Sequence, residues 1–304
     1  MSIRDSISSQ KTKRNKWIED KNAERETVNA HADNGISIIT TDPETYAAYL
    51  KTQADNLSFS PTNIAIVMES RPNATKIHRA GGWENRGRKI IPDEKIYGTK
   101  IFLPMSEEAK ARKNLTGNYT VIGMVYDISQ TSGQEISEAP ILNTEEKLTQ
   151  AIGAFVSASK ADVEFDGSIA QAAFYDPESQ TLLVNPDRGA KEIFADLSRE
   201  TVYANRHGGG KGFDKRWYQL EAESVGYMTC RHYLGEAQMP DVSSVTDKFE
   251  GRPISERTKA LKDTMWQLGK IKRNIDRELK IENREREQEP QKTEAKTAPE
   301  PERP

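Results

Sequence analysis

The stretch Lys191-Glu192-Ile193-Phe194-Ala195-Asp196-Leu197-Ser198-Arg199-Glu200-Thr201-Val202-Tyr203-Ala204, followed by Glu221-Ala222-Glu223-Ser224-Val225-Gly226-Tyr227-Met228, decides how the chain is read. Apolar residues recur at threes and fours in both segments, which predicts two consecutive helices, Lys191 to His207 and Lys215 to Glu236. On the first, Glu200 shares a face with Ile193, Leu197 and Ala204; on the second, Glu221 precedes Val225 and Met228 along an apolar stripe. Both carboxylates are therefore expected to point inward. A buried carboxylate costs several kcal/mol unless a cation or a set of donors satisfies it, so this helix pair is where a functional site or an internal ion network is expected.

Outward from this pair, composition sets the limits. At 304 residues, 35% hydrophobic and 30% charged, the chain fits two modest cores with polar tails. No run approaches the roughly 18 apolar residues of a membrane span, and the first residues lead into charge, so no membrane partner and a cytoplasmic setting are expected. A single cysteine, Cys230, excludes an intramolecular disulfide and a multi-cysteine zinc cage; set in an apolar helical run, it reads as a buried inert thiol. The net charge of −3 conceals a local excess, because Arg71 to Lys113 holds 11 Lys and Arg against 5 Asp and Glu.

Along the chain, residues 1–40 form a charged N-terminal arm with a basic stretch from Lys11 to Lys16, helical to about Ala30 and short of apolar anchors, expected to lie outside the core as a frayed tail, with a basic arm touching nucleic acid as the alternative. Asp42-Pro43-Glu44 starts a helix to about Asn56, and a second runs from Pro61 to Ser70. Strands are expected at Thr75 to Ile77, Lys89 to Ile91, Thr99 to Leu103 and Tyr119 to Tyr126, giving a helix-plus-small-antiparallel-sheet domain over 41–142. Asn143-Thr144-Glu145-Glu146 caps a helix to about Ser157, and Asp162 to Phe165 and Thr181 to Asn185 read as strands of a second domain, 143–240. Gly208 to Gly212 follows a helix and lacks a Gly-Lys-Ser/Thr ending, so it reads as a connector and not as a phosphate loop. Leu261, Met265, Leu268, Ile271, Ile275 and Leu279 predict one amphipathic helix over 255–288, available for packing or self-association, and 289–304 reads as a disordered tail.

Several of these segments carry a family resemblance. Phe174-Tyr175-Asp176-Pro177, Leu182-Leu183-Val184-Asn185, the Arg199 frame and Glu221 to Tyr227 resemble the zinc-metallopeptidase-like domain of ArdC and LtrC-type antirestriction proteins, related to the ImmA/IrrE peptidases. Tyr49 to Ala54, Phe59 to Asn63, Arg71 to Thr75, Trp83 and Tyr126 to Thr131 are similar to the single-stranded-DNA-binding domain of the same proteins. The resemblance, which runs from about Thr41 to Leu234, implies an α+β chain of the N-terminal helix-plus-sheet domain and a zincin-like α+β domain, to which the periodicity adds the long C-terminal helix. It aligns Arg199-Glu200-Thr201-Val202-Tyr203 with an H-E-x-x-H zinc frame in which Glu200 is the base and Glu221 the third ligand. Arg199 and Tyr203 stand where imidazoles would be needed, and arginine has no lone pair to offer a metal at neutral pH. The frame is thus expected to be degenerate, with zinc lost and no catalysis. Arg199 is expected to neutralise Glu221 in a bidentate pair, with Tyr203 adding a hydroxyl. His207 is expected to sit at a helix C-terminus and His232 to be packed.

In the first domain, Trp83 lies among Arg71, Lys76, Arg79, Arg86, Arg88 and Lys89, the interleaving of basic residues and an aromatic that single-stranded nucleic acid requires; composition alone reads Trp83 as core and the basic residues as solvated turns, whereas the resemblance assigns them, with Asn63, to single-stranded DNA, a structural contact at a helix N-terminus being the alternative for Asn63. The function expected is a DNA-binding antirestriction accessory protein of a conjugative mobile element with a pseudo-metallopeptidase domain. An active metallopeptidase holding zinc at an atypical site, and a structural protein that binds partners through Ser255 to Gln288, are the alternatives.

Overall fold

The computed structural model describes residues 3–136, 139–208 and 212–281. It is an α+β structure with small sheets and a long C-terminal helix. The chain opens with α1 (Ile3–Ile39), a single helix of 37 residues. Its second half buries Val28, Ala32, Ile36 and Ile39, so the arm is anchored in the core, contrary to the expectation that it lies outside. The reason is a small residue: a Cβ on Gly35 would lie 2.2 Å from the Ala65 carbonyl oxygen, so α1 can approach the third helix at backbone contact only because position 35 has none.

Helices α2 (Pro43–Ala54) and α3 (Pro61–Ser70) start as their sequences dictate, with Asp42 and Ser60 accepting from the amides of Thr45 and Asn63 and proline at the first helical position. Next come β1 (Ile77–His78), α4 (Ala80–Glu84), β2 (Arg88–Ile90), β3 (Thr99–Pro104), α5 (Glu107–Arg112), β4 (Thr120–Asp127) and β5 (Thr131–Gly133). They form an antiparallel sheet ordered β1-β4-β3 and an antiparallel pair, β2 with β5.

In the remaining chain α6 (Glu145–Ala158) is capped by Thr144, and β6 (Asp162–Phe165), β7 (Ala173–Asp176) and β8 (Thr181–Val184) form a mixed sheet ordered β6-β8-β7. Strand β6 runs parallel to β8, and β7 antiparallel to it, which leaves one side of β7 open. Against that open side lies α7 (Ala190–His207), followed by a 3-10 turn at Lys215–Tyr218 and α8 (Gln219–Leu234). Gly226 lets α8 close on α7, since a Cβ there would be 3.3 Å from the Cβ of Arg199.

After α9 (Val245–Phe249) the chain ends its described part in α10 (Ile254–Glu278). Leu261, Leu268, Ile271 and Ile275 are buried, so its apolar stripe is used inside the molecule. The helix stops at Glu278, short of the expected end at 288: Lys280 turns left-handed (φ 53°), and Ile281 donates to the Asp276 carbonyl, a Schellman closure. The expected tail, 289–304, and residues 209–211 of the glycine connector lie outside the described residues. One apolar cluster runs from Val28 to Ile275 and joins the helices of both expected domains.

Candidate functional site

The open side of β7 is closed by carboxylates from α7. Asp196 accepts from the amides of Ala172 (3.0 Å) and Ala173 (3.3 Å), and Glu200, one turn on, accepts from the amide of Tyr175 at 2.9 Å. Two acidic residues at i and i+4 thus supply the acceptors that a further strand would have supplied.

Glu200 is 5% exposed, and its remaining acceptor positions take two cations. Lys215 Nζ lies 2.7 Å from Oε2, and Arg199 Nε lies 3.1 Å from Oε1. The ammonium also sits 3.8 Å from the centre of the Phe174 ring and 4.8 Å from that of Tyr203, both within cation–π range. Arg199 continues the network to Asp196 at 3.0 Å and to Glu223 at 3.8 Å. Burial lowers the Lys215 pKa, against the opposing pull of Glu200. Burial raises the Glu223 pKa despite Arg199, with the charges of Glu200 and Asp196 pushing in the same direction as burial. Tyr203 is raised by burial and by Glu200, and its phenol stays protonated at neutral pH.

Glu221 does not pair with Arg199. Its carboxylate takes a two-pronged hydrogen bond from Arg206, with Nε at 2.9 Å, while Glu223 occupies the place beside Arg199. The expected Arg199–Glu221 pair is thereby corrected: positions 221 and 223 lie about 200° apart on a helix, so only one can face Arg199. His207 ends α7 as expected, with Nδ1 2.7 Å from the Tyr175 hydroxyl and its ring stacked on Phe213 at 4.5 Å. His232 packs edge-on against Tyr233, and Cys230 is buried with its thiol pKa pushed up to about 12 by burial.

This donor set does not fit a zinc ion. A metal at Glu200 would have to displace Lys215, and its other neighbours would be a guanidinium and a phenol. Among the described residues no group of three or more His, Cys, Asp or Glu side chains is placed to hold a metal. Lys215 was missed from sequence because it follows the glycine connector and stands beside Arg216, where a basic residue reads as solvated; the signal was a lysine fifteen residues after a glutamate on an apolar face.

The residues assigned to DNA are distributed differently. Trp83 is 0% exposed and donates its indole N–H to the Tyr126 carbonyl at 2.9 Å, so it is core and offers no face to a base. Asn63 is buried too: its amide exchanges two hydrogen bonds with the backbone of Phe102 (2.6 and 3.1 Å) and closes the outer edge of β3. Arg88 donates from Nε to the Thr131 hydroxyl (2.7 Å) and from Nη2 to the Thr131 carbonyl (2.9 Å), holding β5 to β2. Arg71 pairs with Glu94 at 3.1 Å, and Arg86 donates to the Gly82 carbonyl at 3.1 Å. Lys76 is half-buried and Arg79 exposed, each with a partner; Lys89 is exposed. Between residues 41 and 142 the most exposed aromatics among the described residues are Tyr97 (60%) and Tyr119 (42%), near Lys95, Arg112 and Lys113 in sequence, all three exposed. Sequence reading passed over both tyrosines because each adjoins a strand, where an aromatic is expected to face the core.

No protein-family model matches the chain, and no curated protein matches it. Among solved structures it is similar to the Mn(II)-bound antirestriction protein ArdC from the R388 plasmid, at 16% identity and a TM-score of 0.45, over 71% of this chain and 89% of that one. It is similar to the metal-free form of the same protein at 13% identity and a TM-score of 0.42, over 72% of this chain and 84% of that one.

Proposed function

We propose that the chain is a cytoplasmic accessory protein of the antirestriction kind, carried by a conjugative mobile element, that binds single-stranded DNA through its first half. Its α7–α8 frame serves the fold without zinc and without peptidase activity. The order of the family-like segments along the chain supports the first part. The observation that carries it is the surplus of positive charge between Arg71 and Lys113, coincident with Tyr97 and Tyr119 standing clear of the core. Basic groups along a backbone and aromatic faces under bases are the two components such binding needs. For the second half, the Tyr175 amide and Lys215 fill Oε2 of Glu200 and Arg199 holds Oε1, so two cations neutralise the carboxylate and weaken it as a base.

The test is titration of a labelled single-stranded oligonucleotide across salt concentrations. Affinity should fall steeply with salt, and Tyr97→Ala and Tyr119→Ala should each weaken binding by about 1–3 kcal/mol if the rings stack. No binding at low salt would reject the proposal. Stoichiometric zinc with chelator-sensitive peptide hydrolysis would instead establish the metallopeptidase reading.

A further inference from the structure

Between Ile7 and Ala23 every side chain of α1 is exposed, so a helical segment of about 30 Å extends from the point where Arg25 anchors it. Arg25 donates to the Thr120 hydroxyl at 3.0 Å and lies 5.3 Å over the Phe102 ring. From there toward the N-terminus, the face that buries Val28, Ala32 and Ile36 continues at spacings of three and four through Lys21, Ile18, Arg14, Lys11 and Ile7. This solvated stretch takes no stability from tertiary packing, the source of most helical stability in proteins, which points to a partner.

Charge selects the partner. Lys11, Lys13, Arg14 and Lys16 are all exposed, and no acidic residue stands between Asp5 and Glu19. A second copy is disfavoured, because Lys11 and Arg14 occupy the stripe that a coiled coil would bury and would meet their own counterparts. A membrane surface is disfavoured because Ile7, Trp17 and Ile18 are too few to form an apolar face. At 100° per residue, Lys11 and Arg14 lie on one flank of the helix and Lys13 and Lys16 on another, the two flanks about 160° apart. A helix with positive charge on both flanks matches a groove with phosphates on both walls. Trp17, 56% exposed, lies between the flanks, where an apolar contact to a thymine methyl is available.

We infer that the free half of α1 seats in the major groove of duplex DNA, with Lys11 and Arg14 on one phosphate wall and Lys13 and Lys16 on the other. This is a second nucleic-acid surface, separate from the single-strand surface proposed above and independent of it.

The test uses the full chain, anisotropy titrations, and three probes of about 20 nucleotides or base pairs: single-stranded DNA, duplex DNA and duplex RNA. Replacing Lys11, Lys13, Arg14 and Lys16 together by Gln keeps helix propensity while removing charge. The variant is expected to lose duplex-DNA affinity on the order of 10²-fold at 0.1 M salt, with the salt slope reduced by about 3 to 4, and to keep single-strand affinity. Duplex RNA, whose major groove is too narrow for a helix, should bind wild type more weakly than duplex DNA. A second variant, Lys11→Arg, Lys13→Arg and Lys16→Arg, should retain duplex binding, which separates loss of charge from loss of helix. The inference is overturned if wild type does not bind duplex DNA, if the glutamine variant binds it with an unchanged slope, or if that variant loses both DNA forms equally. It is also overturned if anionic phospholipid vesicles capture the arm and duplex DNA does not. Duplex binding without single-strand binding would reject the function proposed above and leave this inference standing.

Discussion

Glu200 accepts from a strand amide, an ammonium and a guanidinium at once, so each partner has a separable contribution. Lys215→Met should destabilise the protein by about 2–4 kcal/mol, read by denaturant unfolding, because it removes one of two cations from a carboxylate that is almost wholly buried. Adding Glu200→Gln should recover part of that loss, since the neutral amide requires less compensation; no recovery would mean that Lys215 acts through packing alone. Glu221 offers the complementary comparison. A double-mutant cycle of Arg206→Ala with Glu221→Gln should show coupling of about 1–3 kcal/mol, and the Arg199 and Glu221 cycle should be additive within about 0.5. The alternation of acidic residues on α8 was legible in the sequence, but which of them faces Arg199 depends on the rotation of α8 about its axis. That rotation is set by Gly226 against Arg199, a contact between residues 27 positions apart that no local pattern encodes. Glu223 adds a pH dependence. Its folded pKa is raised above the ordinary value of 4.5, so the folded state holds the proton more tightly than the unfolded chain. Its favourable contribution is present in full below pH 4.5 and is lost as pH rises through the folded pKa. Glu223→Gln should therefore be more stable than wild type at pH 7, with the difference shrinking as pH is lowered toward 4.5 in thermal melts.

At the scale of elements, local signals were read well and non-local ones were not. Asp42, Ser60 and Thr144 each cap the helix their sequence announces, because a cap is settled within four residues. Strand β7 escaped although it forms a local hairpin with β8, its other edge being closed by Asp196 and Glu200; β5 escaped because it pairs with β2, far upstream, and is held there by Arg88. The α1–α3 crossing escaped for the same reason and gives a test. Gly35→Val would place a side chain into the Ala65 carbonyl and should cost about 1–3 kcal/mol or more, whereas the same change at Gly153, whose added Cβ meets nothing within 4 Å, should be neutral or slightly stabilising, because valine has the higher helix propensity. Trp83 marks the opposite case: composition alone reads it as core, the family resemblance reads it as a stacking platform, and it is the centre of a small core. Trp83→Ala should cost about 3–5 kcal/mol in stability. Trp83→Phe should cost less, chiefly the buried Tyr126 carbonyl it leaves without its indole donor.

For the whole molecule, composition suggested two cores, yet the apolar cluster is continuous from Val28 to Ile275. Polar contacts cross the same ground: Tyr46 Oη is 2.9 Å from Ser224 Oγ, Asp55 receives Arg231 through Nε and Nη2 at 2.8 and 2.9 Å, and Arg257 reaches Thr40 at 3.1 Å. The apolar face of α2 was legible, but its partner α8, some 175 residues on, was not, because periodicity identifies a buried face without saying what buries it. The expected consequence is cooperativity. Of the four tryptophans, Trp17, Trp217 and Trp266 are each more than half exposed, so the blue-shifted part of the fluorescence reports Trp83 and hence the first half of the chain. Far-UV circular dichroism reports every helix, including α7, α8 and α10 in the second half. If the shared core makes one folding unit, the two signals should trace coincident denaturation curves with a single midpoint. Arg231→Ala, which strips the Asp55 carboxylate of its two-pronged partner, should shift both curves together to lower denaturant. Tryptophan fluorescence that is lost in a separate transition from the circular dichroism would show two independent units and would reject the shared core as an energetic entity. Deleting residues 1–22 should leave both curves where they are, because the buried part of α1 begins at Val28 and the arm before it contributes no packing to the fold.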